Sequence, residues 1–295
     1  MAPMECTKCE WSDRRLAGTV IFCISFVGSM ANWLVVTSSR RLPSMRNSFG
    51  VLMTSQSSGE AVLCSVFAFY YSPMVFFNID AMEHVSKRFG IVLLICYDIC
   101  ILSHLFIALN RMCAICFPWK YDKYFSKSNT RRLIVISWIL SFTRCFLSYI
   151  YRDCDFVYDD SIWAFVFTQT EDCKFISKYL DFIRDLTIVI IIGIVDTITV
   201  IKVRISSAKA VLQGIVFAVE LYTYFILAWQ MQNKWAVWAL TTMAWNLVHC
   251  TDALIVIGYN AEFRKLVSSP TLIFKTKIHT QVSHSSIPGE RFTEK

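Results

Sequence analysis

The stretch FGIVLLICYDICILSHLFIALN, residues 89–110, holds 22 residues and one formally charged side chain, Asp98. A helix of that length rises about 33 Å, enough to cross a hydrocarbon core about 30 Å thick. Six further stretches share this character, at 16–38, 50–77, 133–150, 180–201, 208–230 and 235–258. The stretch 133–150 is the weakest, with 18 residues and Arg144 inside it. Gly18 and Pro73 fall within stretches, which membrane helices tolerate because neighbours re-satisfy freed backbone groups. The composition agrees: 55% hydrophobic, 17% charged and a mean hydropathy of +0.48. Soluble domains carry about 25% charge, and a soluble fold would need nearly every helix buried on all sides. The first apolar run is a poor cleavable signal, because it is long, exits onto Arg40 and Arg41 and has no small-residue cleavage site.

Charge orients the bundle. With the first fifteen residues outside, the inner connections hold 18 basic residues and the outer ones nine. Acidic residues lean the other way, four inside and twelve outside. The positive-inside rule then puts the N-terminus outside and, after seven spans, the C-terminus inside. The expected class is all-α, a seven-transmembrane helix bundle. Its parts are a short extracellular N-terminus (1–15), the bundle (16–267) and a polar cytoplasmic tail (268–295) that reads as disordered. The net charge of +7 reflects short basic turns, so no nucleic-acid partner is expected. The bilayer is the expected surrounding.

Of twelve cysteines, most sit in apolar helices as small hydrophobes. Cys154 and Cys173 fall in the long connection 151–179, on the oxidising side, and their pairing is favoured. Cys6 and Cys9 remain alternative partners for each other or for that loop.

Polar groups inside the spans carry the functional signal, because lipid penalises them unless they face the bundle, water or a partner. Helical periodicity puts Tyr97, His104 and Arg111 on one stripe of the third span, with Asp98 beside it. In the seventh, Trp245, His249, Asp252 and Tyr259 share a sector; in the fifth, Asp185 and Asp196 point nearly the same way. Glu220 shares the Gln213–Phe217–Tyr224 face of the sixth, and Gln56 and Glu60 sit four apart in the second. Tyr70, Tyr71, Tyr97, Asp98, Asp185, Glu220, Tyr224, Trp238 and Trp245 are the ligand-binding candidates, lining an outward cavity. The aromatic members also suit an interfacial belt, and Arg184 suits snorkelling to the interface. Asn32, Gln56, His104, Asp196, His249 and Asp252 suit an internal polar network that glues helices together. The chain has no His-Glu-x-x-His helix, Gly-x-Ser-x-Gly elbow or phosphate-cradling loop, so no catalytic residues, no cofactor and no enzyme are expected. His104 and His249 lack paired-ligand spacing, so no metal site is expected either.

The most specific segment runs from Ser103 to Tyr121, SHLFIALNRMCAICFPWKY. It delivers Asn110 and Arg111 to the inner mouth of the bundle and then turns at Pro118. An arginine there can pair within the bundle in one state and release in another, which is what a switch requires. The segment resembles the third-helix end of G-protein-coupled receptors. In detail the chain resembles the nematode serpentine chemoreceptors of class x, through Arg46-Asn-Ser-Phe-Gly50, Tyr71-Ser-Pro-Met74, the loop 153–173, Gln213-Gly214 and Tyr259-Asn-Ala-Glu-Phe-Arg264. The resemblance covers about residues 18–267. It implies a plasma-membrane receptor, in sensory neurons or their cilia, for an external small-molecule ligand, with a heterotrimeric G protein docking inside. Asn32 matches the first-helix asparagine, Arg111 the arginine that meets the G protein, and Asn110 and Arg264 lie on that same side. Gln56 and Ser57 stand where the wider superfamily has a sodium-binding Asp, and Tyr259-Asn260-Ala261 replaces its Asn-Pro-x-x-Tyr. The connection 202–209 is shorter than the family's, which leaves a receptor-like protein with weak coupling as one alternative. A transporter or channel subunit is the other.

Overall fold

The computed structural model describes residues 4–203 and 208–268, with the side chains of 11–202 and 215–268. The tail beyond Ser268, the centre of the 202–209 connection, the side chain of Gln213 and those of Cys6 and Cys9 lie outside the described residues. Five helices are long and apolar enough to cross a membrane: α1 (Met4–Ser39, apolar from Trp11), α2 (Ser48–Phe77), α3 (Ser86–Cys116), α4 (Lys127–Ile150) and α7 (Lys234–Tyr259). The other two apolar stretches form α5 (Arg184–Val203), which carries Arg184, Asp185, Asp196 and Lys202, and α6 (Ala208–Tyr222). The described apolar helix after that connection, Ile215–Gln230, is shorter than the five. A further helix, α8 (Ala261–Ser268), follows α7. The chain divides into two compact units, Met1–Ile255 and Val256–Lys295. Within the second, Asn260 Oδ1 accepts from Glu262 N at 2.9 Å and caps α8, while Arg264 Nη1 donates to Gly258 O at 2.6 Å.

Local signals set the helix ends. Asn47 caps α2 by accepting from Gly50 N at 2.9 Å, Ser126 caps α4 from Asn129 N at 3.2 Å, and Asn233 caps α7 from Trp235 N at 2.8 Å. Asn78, at φ 53°, stops α2 in the left-handed region. The helix α4 starts at Lys127, six residues ahead of the apolar edge, because a cap and not hydropathy defines its start. Pro73 is accommodated by a wide turn at Phe67–Tyr71, where Ser72 N and Oγ both donate to Phe67 O.

Burial ranks the helices. In the apolar window of α3, 67% is buried, against 28% for α4. Ile139, Leu140, Phe142, Phe146 and Leu147 leave α4 with a broad exposed apolar face. Such a face is stable against hydrocarbon, where each backbone group is satisfied within its own helix. Polar threads tie the helices. Asn32 Nδ2 donates to His249 O at 3.1 Å, Ser25 Oγ to Asn246 Oδ1 at 2.6 Å, and Trp138 Nε1 to Ser55 Oγ at 2.9 Å.

The connection between α4 and α5 is not simple loop. A Cys154–Cys173 disulfide encloses an antiparallel hairpin, β1 (Phe156–Asp159) with β2 (Ala164–Phe167), in the register Phe156↔Phe167 and Asp159↔Ala164. The all-α class therefore carries one small sheet. Alternation puts Phe156 and Tyr158 in the core and leaves Val157 and Asp159 half-buried. Burial, with Tyr71 and Asp160 nearby, raises the pKa of the Tyr158 phenol above its ordinary value. The hairpin sits on the start of α3, where Tyr158 N donates to Ser86 Oγ at 3.3 Å. A Cβ on Gly90 would lie 1.9 Å from Phe156 O. Gly90→Ala is accordingly expected to cost about 1–3 kcal/mol by overpacking. A thermal melt of the purified variant checks this, and an unchanged Tm would rule out the close approach.

Candidate functional site

Beneath the hairpin, α3, α4 and α5 converge through charge. Arg144 Nη1 donates to Asp181 Oδ1 at 2.8 Å, and its Nη2 lies 3.0 Å from Asp98 Oδ1. Arg184 turns into the bundle instead of snorkelling: Nη2 reaches Asp98 and Nε donates to Asp185 Oδ1 at 2.8 Å. The Tyr149 hydroxyl donates to Asp181 Oδ1. All three aspartates are buried. Long basic side chains between short acidic ones offset each other's charge, which is how such groups persist away from water.

Next to this network lies a partly open cavity of about 30 Å³. Its walls include Tyr97, Glu220, Tyr224 and Trp245, together with Arg144, Asp181 and Asp185, and Phe156 and Phe167 of the hairpin line it too. That volume holds little more than a water molecule. The Tyr97 hydroxyl donates to Glu220 Oε2 at 3.4 Å. Arg144 Nε, Asp181 Oδ2 and Trp245 Nε1 are buried without a hydrogen-bond partner among the described residues. Unpaired buried polar atoms are rare and costly, and three of them border one cavity. Larger clefts of about 630 and 680 Å³ open elsewhere, lined by apolar, basic and neutral polar side chains and by no carboxylate.

The structure brings together five of the nine ligand candidates, Tyr97, Asp185, Glu220, Tyr224 and Trp245. Asp98 belongs to the ion network. Tyr70, Tyr71 and Trp238 are not among the residues lining that cavity. Tyr70 stacks on Phe89 with ring centroids 3.6 Å apart and donates to Met82 O at 2.5 Å. Tyr71 donates to Trp163 O at 2.6 Å and accepts from Trp238 Nε1 at 3.3 Å. Asp185 is buried and lines that cavity. Arg144 and Asp181 were legible only as an odd charge in a short span and an acid at a span's edge. Phe156 and Phe167 gave only the alternation of a short strand.

Some 25 residues along α3 from its first turn, Arg111 Nη2 contacts Asp196 Oδ1 and Oδ2 of α5 at 3.0 and 3.1 Å. Ala108, Ile192 and Val195 pack beside this pair. Asn110 Nδ2 donates to the Tyr121 hydroxyl at 3.2 Å. Between the two ends sits a third polar group, in which Gln56, Glu60, His104 and Asp252 join α2, α3 and α7. Asp196 and Asp252 thus lie in separate clusters.

A membrane helix bundle with a disulfide-closed loop folded over it is the architecture of this chain, and comparison with known proteins supplies the family. The family described as "Serpentine type 7TM GPCR chemoreceptor Srx" matches residues 22–211 and 208–260. Serpentine receptor class X 45 of Caenorhabditis elegans is 30% identical over 307 residues, covering 90% of this chain and 84% of that protein. Serpentine receptor class X-43 of the same organism is 26% identical, covering 86% of each. The fold is similar to squid rhodopsin, with a TM-score of 0.65 over 95% of this chain and 93% of that one. At 14% identity that likeness speaks for the fold alone. The chain belongs to the Srx family of serpentine receptors, a family of signal receptors and not of enzymes.

Proposed function

We propose that this protein is a seven-span chemoreceptor of the plasma membrane, N-terminus outside and C-terminus inside, that binds an external small molecule and signals through a heterotrimeric G protein. Its proposed parts are a short extracellular N-terminus (1–15), the bundle (16–267) and a cytoplasmic tail (268–295), and sensory cilia are its proposed site of action. The observation that carries the reading is the cavity under the hairpin, with three orphaned polar atoms at its rim. Those atoms supply one donor from an indole, one from a guanidinium and one carboxylate acceptor. In this part of the bundle, Asp98, Asp181, Asp185 and Glu220 face only two guanidiniums, Arg144 and Arg184. That excess of acid favours a cationic ligand such as an amine. A ligand larger than water displaces the hairpin's aromatic side chains, so binding and hairpin movement are one event.

Arg111 is the proposed switch. Paired with Asp196 it holds α3 to α5; released, it is free to meet the G protein. A ligand screen in a reporter cell with this receptor at the surface tests ligand and coupling together. Arg111→Ala is expected to abolish ligand-dependent G-protein activation at unchanged surface expression. Asp196→Asn is expected to raise the basal signal several-fold, because it weakens the resting pair. Unchanged signalling in both variants would remove the switch.

A further inference from the structure

Two carboxylates and two imidazoles meet at the centre of the bundle, and neither the ligand cavity nor the Arg111 pair uses them. We propose that Glu60, His104 and Asp252 bind a transition-metal dication, Zn²⁺ by preference, that joins α2, α3 and α7.

The geometry carries the argument. One donor atom from each of the three residues lies within 4.8 Å of the others, and all three residues are buried. Gln56 Nε2 stands 2.9 Å from each of Glu60 Oε1, His104 Nε2 and Asp252 Oδ2. His104 Nε2 and Asp252 Oδ2 are themselves 2.8 Å apart, so three would-be ligand atoms converge on one amide nitrogen that has two hydrogens. The focus of these donors is therefore where a cation fits, and Gln56 stands in for it. Swinging the amide aside vacates that point. It also makes Gln56 Oε1, buried without a partner among the described residues, available as a fourth donor, the third oxygen. Bond lengths of about 2.0–2.2 Å require each donor to close in by less than 1 Å.

Charge and ligand type point the same way. Two carboxylates in a nearly dry site are neutralised by one dication, which lets both imidazoles stay neutral. Mixed imidazole and carboxylate donors suit zinc, whereas sodium takes oxygen donors in preference to imidazole. His249 supplies the supporting layer. It is fully buried, and neither ring nitrogen has a hydrogen-bond partner among the described residues. Its Nδ1 lies 3.9 Å from Glu60 Oε1. A shift of about 1 Å makes that a hydrogen bond from Nδ1–H to a metal-ligating carboxylate, the usual outer support of such sites. Cys100 lies in an alternative grouping with Glu60 and His249, which would give a thiolate ligand.

The experiment uses the full chain in lipid nanodiscs, purified without a histidine tag and incubated with Zn²⁺ or Co²⁺. The expected result is one zinc per chain by elemental analysis, retained when His84, His279 and His284 are all replaced by alanine. A zinc-edge X-ray absorption spectrum of the unmutated protein is expected to show a nitrogen and oxygen shell without sulfur. Glu60→Gln and His104→Ala are expected to lose the metal and the visible bands of the cobalt form. His249→Ala is expected to bind about 10–100-fold more weakly. Zinc content unchanged in both Glu60→Gln and His104→Ala would overturn the site, as would a sulfur shell in the absorption spectrum. An unmutated protein that binds no zinc or cobalt would overturn it without any variant needing to fold.

Discussion

Replacing Arg144 by methionine is expected to lower the stability of the receptor in detergent by about 3–5 kcal/mol, the usual cost of deleting one partner of a buried ion pair. The guanidinium stands between Asp98 and Asp181, 3.0 and 2.8 Å from an oxygen of each, and its side chain is 18% exposed. Methionine keeps much of the volume and removes the charge. Asp181 then loses its guanidinium partner, and Asp98 is left to share Arg184 with Asp185. The penalty comes from stranded carboxylates more than from a lost attraction, and that gives a sharp check. Adding Asp181→Asn to Arg144→Met should recover a substantial part of the loss, because the neutral amide no longer needs a counter-charge. Tm values from fluorescence-detected size exclusion for the single and double variants measure this. A double variant less stable than Arg144→Met alone would show that the network is not held by charge balance.

The second large effect is expected at Trp163. Its side chain is 1% exposed, and Lys234 Nζ lies 3.8 Å from its ring centroid. Its carbonyl accepts from the Tyr71 hydroxyl at 2.6 Å and from Thr242 Oγ1 at 3.1 Å. Trp163→Ala is expected to cost about 3–5 kcal/mol through the cavity it leaves. Trp163 also has φ 52°, a region that non-glycine residues occupy at a cost of about 1–2 kcal/mol. Trp163→Gly loses the same packing but sheds that cost, so it should be the more stable of the two variants by about 1 kcal/mol. Hydrogen exchange over 154–173 is expected to rise in both. If the alanine variant equalled or exceeded the glycine variant, the turn would not be held in this conformation by its neighbours.

Much of the fold was legible because it depends on local composition. An apolar run of about 20 residues has few stable options besides a helix in lipid, so 89–110 and its counterparts mark where α1 to α7 lie. Helix starts were less legible, since Ser126 and Asn233 act through single hydrogen bonds that hydropathy does not register. Cys154 and Cys173 stood out by position alone, and the disulfide joins them. The hairpin between them was not legible as structure. Two four-residue strands gain stability only when Phe156 and Phe165 find Phe67 and Trp245, residues far away in the chain.

The sites divide in the same way. Arg111 was marked by its neighbours in the sequence, but its partner Asp196 lies 85 residues away and is set by how α3 packs on α5. Arg144 read as a flaw in a weak span and proves to anchor an ion network. His104 and His249 read as scattered because metal-ligand spacing is a one-dimensional signal, and these donors come from separate helices.

By itself, the amino-acid sequence determined a membrane helix bundle of Srx type, because hydropathy, charge bias and family motifs are properties of short segments. Only the tertiary structure decided which buried charges share a partner, that the hairpin lines the cavity, and that Gln56, Glu60, His104 and Asp252 meet. Those outcomes depend on helix rotation and packing over long chain separations. A few degrees of helix rotation change them while leaving every local pattern intact.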